Sequence, residues 1–499
     1  MTVQKNSYRQ IMKATSLFGG VQFFQILISV VRSKFIAILL GPSGMGIVGL
    51  LTSATGLVSG VTSFGLGTSA VKNISEANAT GDDARASTVI SVLRRLVWYT
   101  GLLGALVTLL LSPWLSTITF GNREYRLAFV WISVTLLFNQ LSSGELVLLQ
   151  GLRRLQNLAK ANVYGSLTGL LISIPLYYRF GIRGIVPVII ITSFITLFFS
   201  RYFARKIKTE KTEISRRTIL TEGKSMIVMG VMISLSGLTT LVATYLLRIF
   251  INHAGNVADV GHYSAGFTII NTYVGMIFTA MGTDYYPRLS TVANDNVQCK
   301  ESINQQAEIA LLILAPILIF FLVFINWAVI LLYSTQFLAI TGMVYWASLG
   351  IFFKAVSWAV AFVFLAKGDG KLFFWNEFVG SVYSLIINMT GYYLGGLTGL
   401  GFSFLISYTL YCIQVFTIAK IKYDFSFHKE AVTLFFIQFL LALVSFIVVN
   451  LIEYPYIYLP GIMLIAISLW YSFRELEKRI GIREMIREFT QKIKKNSSL

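Results

Sequence analysis

The amino-acid sequence predicts an all-α integral membrane protein of about 14 transmembrane helices. Two six-helix, pseudo-symmetric halves are followed by two extra C-terminal helices. Three observations predict this. Hydrophobic residues make up 55% of the 499 residues and charged residues only 13%, against about 45–50% and about 25% in soluble domains. The basic residues crowd into alternate gaps between apolar runs. The two halves also match each other at a constant offset of 215 residues.

A helix needs about 20 predominantly apolar residues to cross the hydrocarbon core. Such runs occupy 14–40, 44–71, 88–111, 125–151, 156–178, 182–204, 222–251, 258–287, 302–333, 340–366, 372–394, 398–420, 430–451 and 454–472. The close pairs around Gly41–Pro42 and Gly395–Gly396 are divided by turn-forming residues, not by polar gaps. Met1 to Lys13 is polar and basic, and no small-residue cleavage site follows the first run. That run therefore reads as a retained signal-anchor.

Of the 41 Lys and Arg residues, 33 fall on one side when the N-terminus is placed inside. With cations near a span end counted in the adjoining loop, the outer loops hold only Arg123, Arg126, Arg179 and Arg183, and Arg32, Lys34, Arg248 and Lys354 are left within spans. This is the positive-inside pattern, with both termini cytoplasmic. It accounts for the net charge of +19 without a nucleic-acid partner. The outer loops are too short for the catalytic domain of a membrane glycosyltransferase or ligase. Cys299 and Cys412, with His253, His262 and His428, show no metal-ligand spacing. No metal or cofactor is expected, and no P-loop occurs, so ATP hydrolysis by this chain is not expected either.

At the 215-residue offset, Gly46, Gly60, Gly67, Thr68 and Ser75 meet Gly261, Gly275, Gly282, Thr283 and Ser290. Trp131 and Ser133 meet Trp346 and Ser348. Gly165, Ser166, Tyr177, Tyr178, Gly181, Gly184 and Ala204 meet Gly380, Ser381, Tyr392, Tyr393, Gly396, Gly399 and Ala419. A six-span unit gives both copies the same orientation, as in transporters that bind at the interface of parallel repeats. The expected organisation is an N-terminal half (1–204), a cytoplasmic linker (205–221), a C-terminal half (222–420), extra helices (421–472) and a basic amphipathic tail (473–499) lying on the inner leaflet.

Charges within a span are costly, about 2.5–3.5 kcal/mol each at the helix centre on insertion scales, and usually face a cavity or a partner. On the first helix Gln22, Gln25, Ser29 and Arg32 form one stripe, with Lys34 on another side. Thr240, Thr244 and Arg248 repeat the pattern in the second copy. The eighth helix aligns Ser264, Thr268, Asn271, Gly275, Thr279 and Gly282, and the tenth aligns Gly350, Lys354, Ser357 and Ala361. The expected feature is a cationic cavity (Arg32, Lys34, Arg248, Lys354) lined by Gln25, Ser29, Thr244 and Asn271. Small and hydroxyl residues of this kind also serve plain helix packing. Glu145, Asp284 and Glu377 are candidate charge partners, and Asp259 with His262 is a candidate proton or ion site. A surplus of cations suits an anionic substrate, since arginine engages phosphate bidentately.

The stretch Arg32 to Gly46 (RSKFIAILLGPSGMG) resembles the Wzx-type polysaccharide flippases of the multidrug/oligosaccharidyl-lipid/polysaccharide exporter superfamily. The resemblance continues through Gly65–Lys72, Leu149–Arg153, Tyr245–Arg248, Tyr286–Ser290, Phe352–Lys354 and Leu365–Lys367. Helices thirteen and fourteen depart from the twelve-helix members, although the lipid II flippases of that superfamily also carry two extra helices. The resemblance implies translocation of an undecaprenyl-diphosphate-linked oligosaccharide, such as an O-antigen unit of lipopolysaccharide. Movement would be from the inner to the outer leaflet of a bacterial inner membrane by alternating access. Lys34 (with Arg32), Arg248 and Lys354 would attract the head group. Membrane lipids and polysaccharide polymerase machinery are the implied partners, with H+ or Na+ as coupling ion. A cation-coupled drug antiporter of the same fold is the alternative, and it would want carboxylates where this chain has cations.

Overall fold

The structure, a computed structural model, describes residues 24–79, 83–207, 216–453 and 455–480. Among them it is helical with no strand. Helix α1 covers 24–39 and is followed by α2 (Gly41–Thr62), α3 (Leu66–Ala79), α4 (Asp83–Leu110), α5 (Ser112–Phe120), α6 (Arg126–Gly151), α7 (Leu155–Phe180) and α8 (Ile185–Ala204). Then come α9 (Arg216–Ala254), α10 (Val257–Thr268), α11 (Gly275–Thr291), α12 (Asn296–Leu332), α13 (Thr341–Ala366), α14 (Gly370–Tyr423), α15 (Lys429–Leu451) and α16 (Tyr458–Ile480). Gln22 of the expected stripe, 208–215 of the expected linker and 481–499 of the expected tail lie outside the described residues.

Nine helical segments among the described residues are long and apolar enough to cross a membrane. Two are of double length: Leu155–Ala204 has 50 residues and Gly370–Tyr423 has 54. At about 1.5 Å per residue each far exceeds a hydrocarbon core of about 30 Å. Each reverses at a glycine, at Gly181 (φ 54°, ψ −133°) and at Gly396 (φ 56°, ψ −139°), so each holds two of the expected runs. A side chain would strain this left-handed backbone. The remaining expected runs fall short for local reasons. α1 has only its 24–39 portion described, α9 has a Ser/Thr/Gly-rich interior, and α16 ends in charges from Arg474 onward. Elsewhere the expected runs are interrupted. The second breaks at Phe64–Gly65, both at positive φ, and the eighth contains a π turn at Ile269–Tyr273.

The offset of 215 is visible in the backbone itself. Gly181 and Gly396 are repeat mates and share one conformation. A Cβ on Gly184 would lie 2.9 Å from the Leu176 carbonyl oxygen, and one on Gly399 would lie 1.9 Å from that of Gly391. Leu176 and Gly391 are again repeat mates.

The chain forms two compact units. The first extends to Ser264 and takes in Leu332–Phe337, and the second comprises Ala265–Leu331 and the residues from Leu338 onward. This division differs from the expected boundary at 205–221. α9 packs on α2, α3 and α4, so it belongs with the first unit. In that unit α3, α4 and α6 enclose Leu66, Ile74, Leu93, Val147 and Leu149, with Met226 of α9. The small residues of α2 let α10 approach closely. A Cβ on Gly46 would lie 1.9 Å from the Val257 carbonyl oxygen, and one on Gly261 would lie 1.9 Å from that of Pro42. Both pairs are related by the 215 offset, so the α2–α10 crossing is its own mate under the repeat.

In the second unit α13 packs on α14 and α11 around Tyr285, Phe364 and Val415. α15 and α16 are joined by Gln438, which donates to Ser472 Oγ (2.8 Å) and accepts from Ser468 (2.7 Å). α16 also docks on α12, where Arg479 Nε donates to Glu308 (2.6 Å). Residues 473–480 thus continue the last helix, and Arg479 ties it to α12, where a separate surface helix was expected.

Candidate functional site

In the first unit two half-buried arginines reach main-chain oxygens. Arg248, on α9, donates from Nη1 to the Gly49 carbonyl of α2 at 2.8 Å. Gly49 leaves room for this: a Cβ there would lie 2.9 Å from Ser264 Oγ and 3.9 Å from the Arg248 guanidinium carbon. Arg32, on α1, reaches the Ser166 carbonyl of α7 at 3.4 Å, and its Nη2 lies 3.4 Å from where a Cβ of Gly169 would stand. The Nε atoms of both arginines are buried without a hydrogen-bond partner among the described residues. α9 is held in register by α5: Tyr245 and Thr119 share a 2.6 Å hydroxyl contact, and Asn252 donates to the Thr119 carbonyl at 2.9 Å. Thr244 is half-buried one turn before Arg248. Gln25 and Lys34 are half-buried on α1, and Ser29 is exposed.

In the second unit Lys354, on α13, donates to Asn271 Oδ1 at 2.6 Å. Three rings surround its ammonium: Tyr408 at 5.1 Å, Phe278 at 5.8 Å and Phe404 at 5.9 Å. The π turn at Ile269–Tyr273 carries Asn271. Its extra residue breaks the even stripe expected along the eighth helix. Asn271 Nδ2 is buried with no partner among the described residues. Neither Arg32, Arg248 nor Lys354 has a carboxylate within 4.0 Å among those residues.

The acids expected to balance these cations are engaged elsewhere. Glu145, on α6, pairs with Arg94 of α4 at 3.5 Å. Asp284, on α11, is exposed and lies 3.8 Å from Arg288, one turn away on the same helix. Glu377, on α14, accepts from the Tyr411 hydroxyl and, at 3.3 Å, from Asn376. These partners are neutral. Asp259 takes part in the start of α10: its N–H donates to Asn256 Oδ1 (3.0 Å), and its carboxylate lies 3.8 Å from His262 Nδ1. His262 Nε2 also lies 3.1 Å from the Gln336 carbonyl. Pairing across helices depends on helix rotation, which residue order along one helix does not reveal.

Sequence reasoning missed the aromatic cage of Lys354. Phe404 and Tyr408 stand one turn apart on α14, a spacing that marks a shared face but not the neighbour it meets. It also missed the carbonyl oxygens of Gly49 and Ser166. The glycines at 49 and 169, beside the arginines, were the available signal.

The arrangement therefore offers half-buried cations and unfilled, buried N–H donors, with neutral or main-chain partners. The polysaccharide biosynthesis protein family matches residues 35–342, more than half of the chain. The chain belongs to this family. No curated protein matches it. Among solved structures, this polysaccharide biosynthesis protein is similar to an inward-facing MATE-family multidrug resistance transporter of the MOP superfamily. The TM-score is 0.67 at 15% identity, over 80% of this chain and 94% of that one. The lipid II flippase MurJ in an inward closed conformation gives 0.66 at 13% identity, over 94% and 99%. A MOP-superfamily transporter from Pyrococcus furiosus, described as having a binding pocket of reverse polarity, gives 0.60 at 16% identity, over 83% and 96%. The family member is thus a multi-pass membrane protein with the MOP transporter fold.

Proposed function

We propose that this protein flips a polyprenyl-diphosphate-linked oligosaccharide across a bacterial inner membrane, from the inner to the outer leaflet, by alternating access. Undecaprenyl diphosphate is the carrier and a surface-polysaccharide repeat, such as an O-antigen unit, the cargo. The observation that carries this reading is the chemistry of the buried polar groups. Arg32, Arg248 and Lys354 lack carboxylate partners among the described residues, and the unfilled atoms beside them are N–H donors (Arg32 Nε, Arg248 Nε, Asn271 Nδ2). Donors without acceptors suit an anionic ligand rich in oxygen. Lys34 is assigned to the cations of the first unit, with Gln25, Ser29 and Thr244 as polar lining there. Membership of the polysaccharide biosynthesis family supports a saccharide cargo. Likeness to the lipid II flippase supports a lipid-linked one.

Physical chemistry supports the same division of labour. A diphosphate cannot cross hydrocarbon unaided, whereas the prenyl tail gains nothing by leaving it. The head group passes through protein while the tail stays in lipid. The basic residues at alternate gaps support a cytoplasmic N-terminus and C-terminus. Energy comes from coupled H+ or Na+ movement, and Glu377 is the acid best suited to that role because its partners are neutral. A drug antiporter, the other function carried on this fold, would need acids where Arg248 and Lys354 stand.

Reconstitution into vesicles tests the reading. A prenyl-diphosphate oligosaccharide added to one leaflet should become accessible to a periodate or lectin probe on the other. Arg248→Ala and Lys354→Ala should each slow this by at least about tenfold, the loss of one charge-assisted contact. Parent-like transport by both variants would discard a role for these cations in transport.

A further inference from the structure

The face of α8 that carries Phe194, Leu197, Phe198, Arg201, Tyr202 and Arg205 has steps of three and one, which places these residues on a single side of the helix. Together with Lys206 they line a cleft of about 380 Å³. Its apolar part lies within the membrane-spanning segment Leu155–Ala204, and Arg205 and Lys206 lie just past its end. Phe194, Phe198 and Tyr202 are about half exposed, at 53%, 56% and 49%.

The wall is organised by ring contacts. Phe198 stacks on Tyr202 (6.4 Å, 12°), and Phe203 stacks on Tyr164 of α7 (5.9 Å, 10°). Lys206 Nζ sits 4.5 Å from the Tyr202 centroid and 5.2 Å from that of Phe203. Lys72, Arg94, Arg288 and Lys422 each stand on a carboxylate. Arg201, Arg205 and Lys206 pair with none among the described residues. An exposed apolar wall leading up to three cations with no carboxylate partner among the described residues matches an amphiphile with its anion at the membrane surface and its chain in hydrocarbon.

We infer that this cleft binds an anionic phospholipid of the surrounding bilayer. Its phosphate sits among Arg201, Arg205 and Lys206, and its acyl chain lies along Phe194, Leu197 and Phe198. Basic pockets at membrane helix ends recognise such head groups. The transported prenyl diphosphate has the same chemistry but belongs elsewhere. Thr192, which meets Gly169 beside Arg32, projects from α8 about 200° away from Phe194. The cleft therefore opens away from the arginine site.

Native mass spectrometry of the full chain, released from micelles holding equal phosphatidylglycerol and phosphatidylcholine, tests the inference. The parent should retain phosphatidylglycerol preferentially, and the preference should fall as salt rises. The triple variant Arg201→Ala, Arg205→Ala, Lys206→Ala should lose roughly a hundredfold in affinity. Arg201→Lys with Arg205→Lys should keep most of it. Phe194→Ala with Phe198→Ala should weaken retention while leaving the salt dependence intact. No preference in the parent would overturn the inference without reference to any variant, as would full retention by the triple variant. Undecaprenyl phosphate displacing phosphatidylglycerol at equal concentration would also overturn it, reassigning the cleft to the transported lipid.

Discussion

The two units keep positive charge inside a membrane protein by different means. In the first, guanidinium groups point at main-chain carbonyls: Arg248 at Gly49 and Arg32 at Ser166. In the second, one ammonium sits among Phe278, Phe404 and Tyr408 and holds a single amide oxygen. A planar fork needs acceptors at fixed angles, which helix backbones provide where glycine admits them. A compact ammonium is indifferent to angle and takes ring faces instead. The first arrangement ties charge to helix positions, and the second ties it to side-chain packing. Substitutions should therefore hurt the two units through different routes.

The largest effect should come from the backbone approach on which the first unit depends. Gly46→Leu and Gly261→Leu each put a Cβ 1.9 Å from a carbonyl oxygen of the facing helix, so α2 and α10 must part. Both should cut vesicle transport to background and lower the unfolding temperature, by a similar amount because the contacts are repeat mates. Gly56→Ala, on the same helix α2 but with open space around it, should be neutral or stabilising by about 0.5–1 kcal/mol. A parent-like Gly261→Leu protein beside a dead Gly46→Leu protein would show that the contact is not reciprocal.

Charge-conserving exchanges come next and separate the two units directly. Arg248→Lys keeps the charge but loses the fork that serves the Gly49 carbonyl while leaving Nε for a ligand. Transport should fall about tenfold, the worth of one charge-assisted hydrogen bond. Lys354→Arg should cost only about threefold, since ring faces accept either cation. Removing a ring is the converse test. Tyr408→Leu should slow transport by about two- to fivefold. Equal costs for Arg248→Lys and Lys354→Arg would erase the distinction between the units.

Much of the fold was legible in the sequence, because glycine is demanded by particular backbone shapes. The matched pairs Gly181/Gly396 and Gly184/Gly399 announced two equivalent hairpins, and the structure has them at those residues. The cations within the spans stood out for a different reason, since a charge within an apolar run is conspicuous. What surrounds them was not. An aromatic residue looks alike whether it faces lipid or an ammonium, and the π turn that carries Asn271 leaves no periodic trace. Asn271 gives a test of moderate size. Asn271→Asp keeps the shape but sets a carboxylate 2.6 Å from Lys354 Nζ, the present position of Asn271 Oδ1. Neutralising the ammonium should lower affinity for an anionic head group by about tenfold. Affinity for an uncharged lipid-linked sugar should be unchanged.

Glu145 should have the smallest effect, and that result bears on both units. Read along the sequence, it is the candidate charge partner that lies within the early spans. In the structure it faces Arg94, whose side chain is 41% exposed, across 3.5 Å. A partly solvated pair of that length contributes little, about 0–1 kcal/mol. Glu145→Gln should then leave transport within about threefold of the parent and shift stability by no more than that amount. If Glu145 instead balanced Arg248 or Arg32, removing its charge would leave a guanidinium uncompensated and cost several kcal/mol. It would also strengthen the pull on an anionic ligand. The double variant Glu145→Gln, Arg94→Gln discriminates further: restoration of parent stability relative to Arg94→Gln alone assigns the carboxylate to Arg94 and leaves the half-buried cations of both units to their neutral partners.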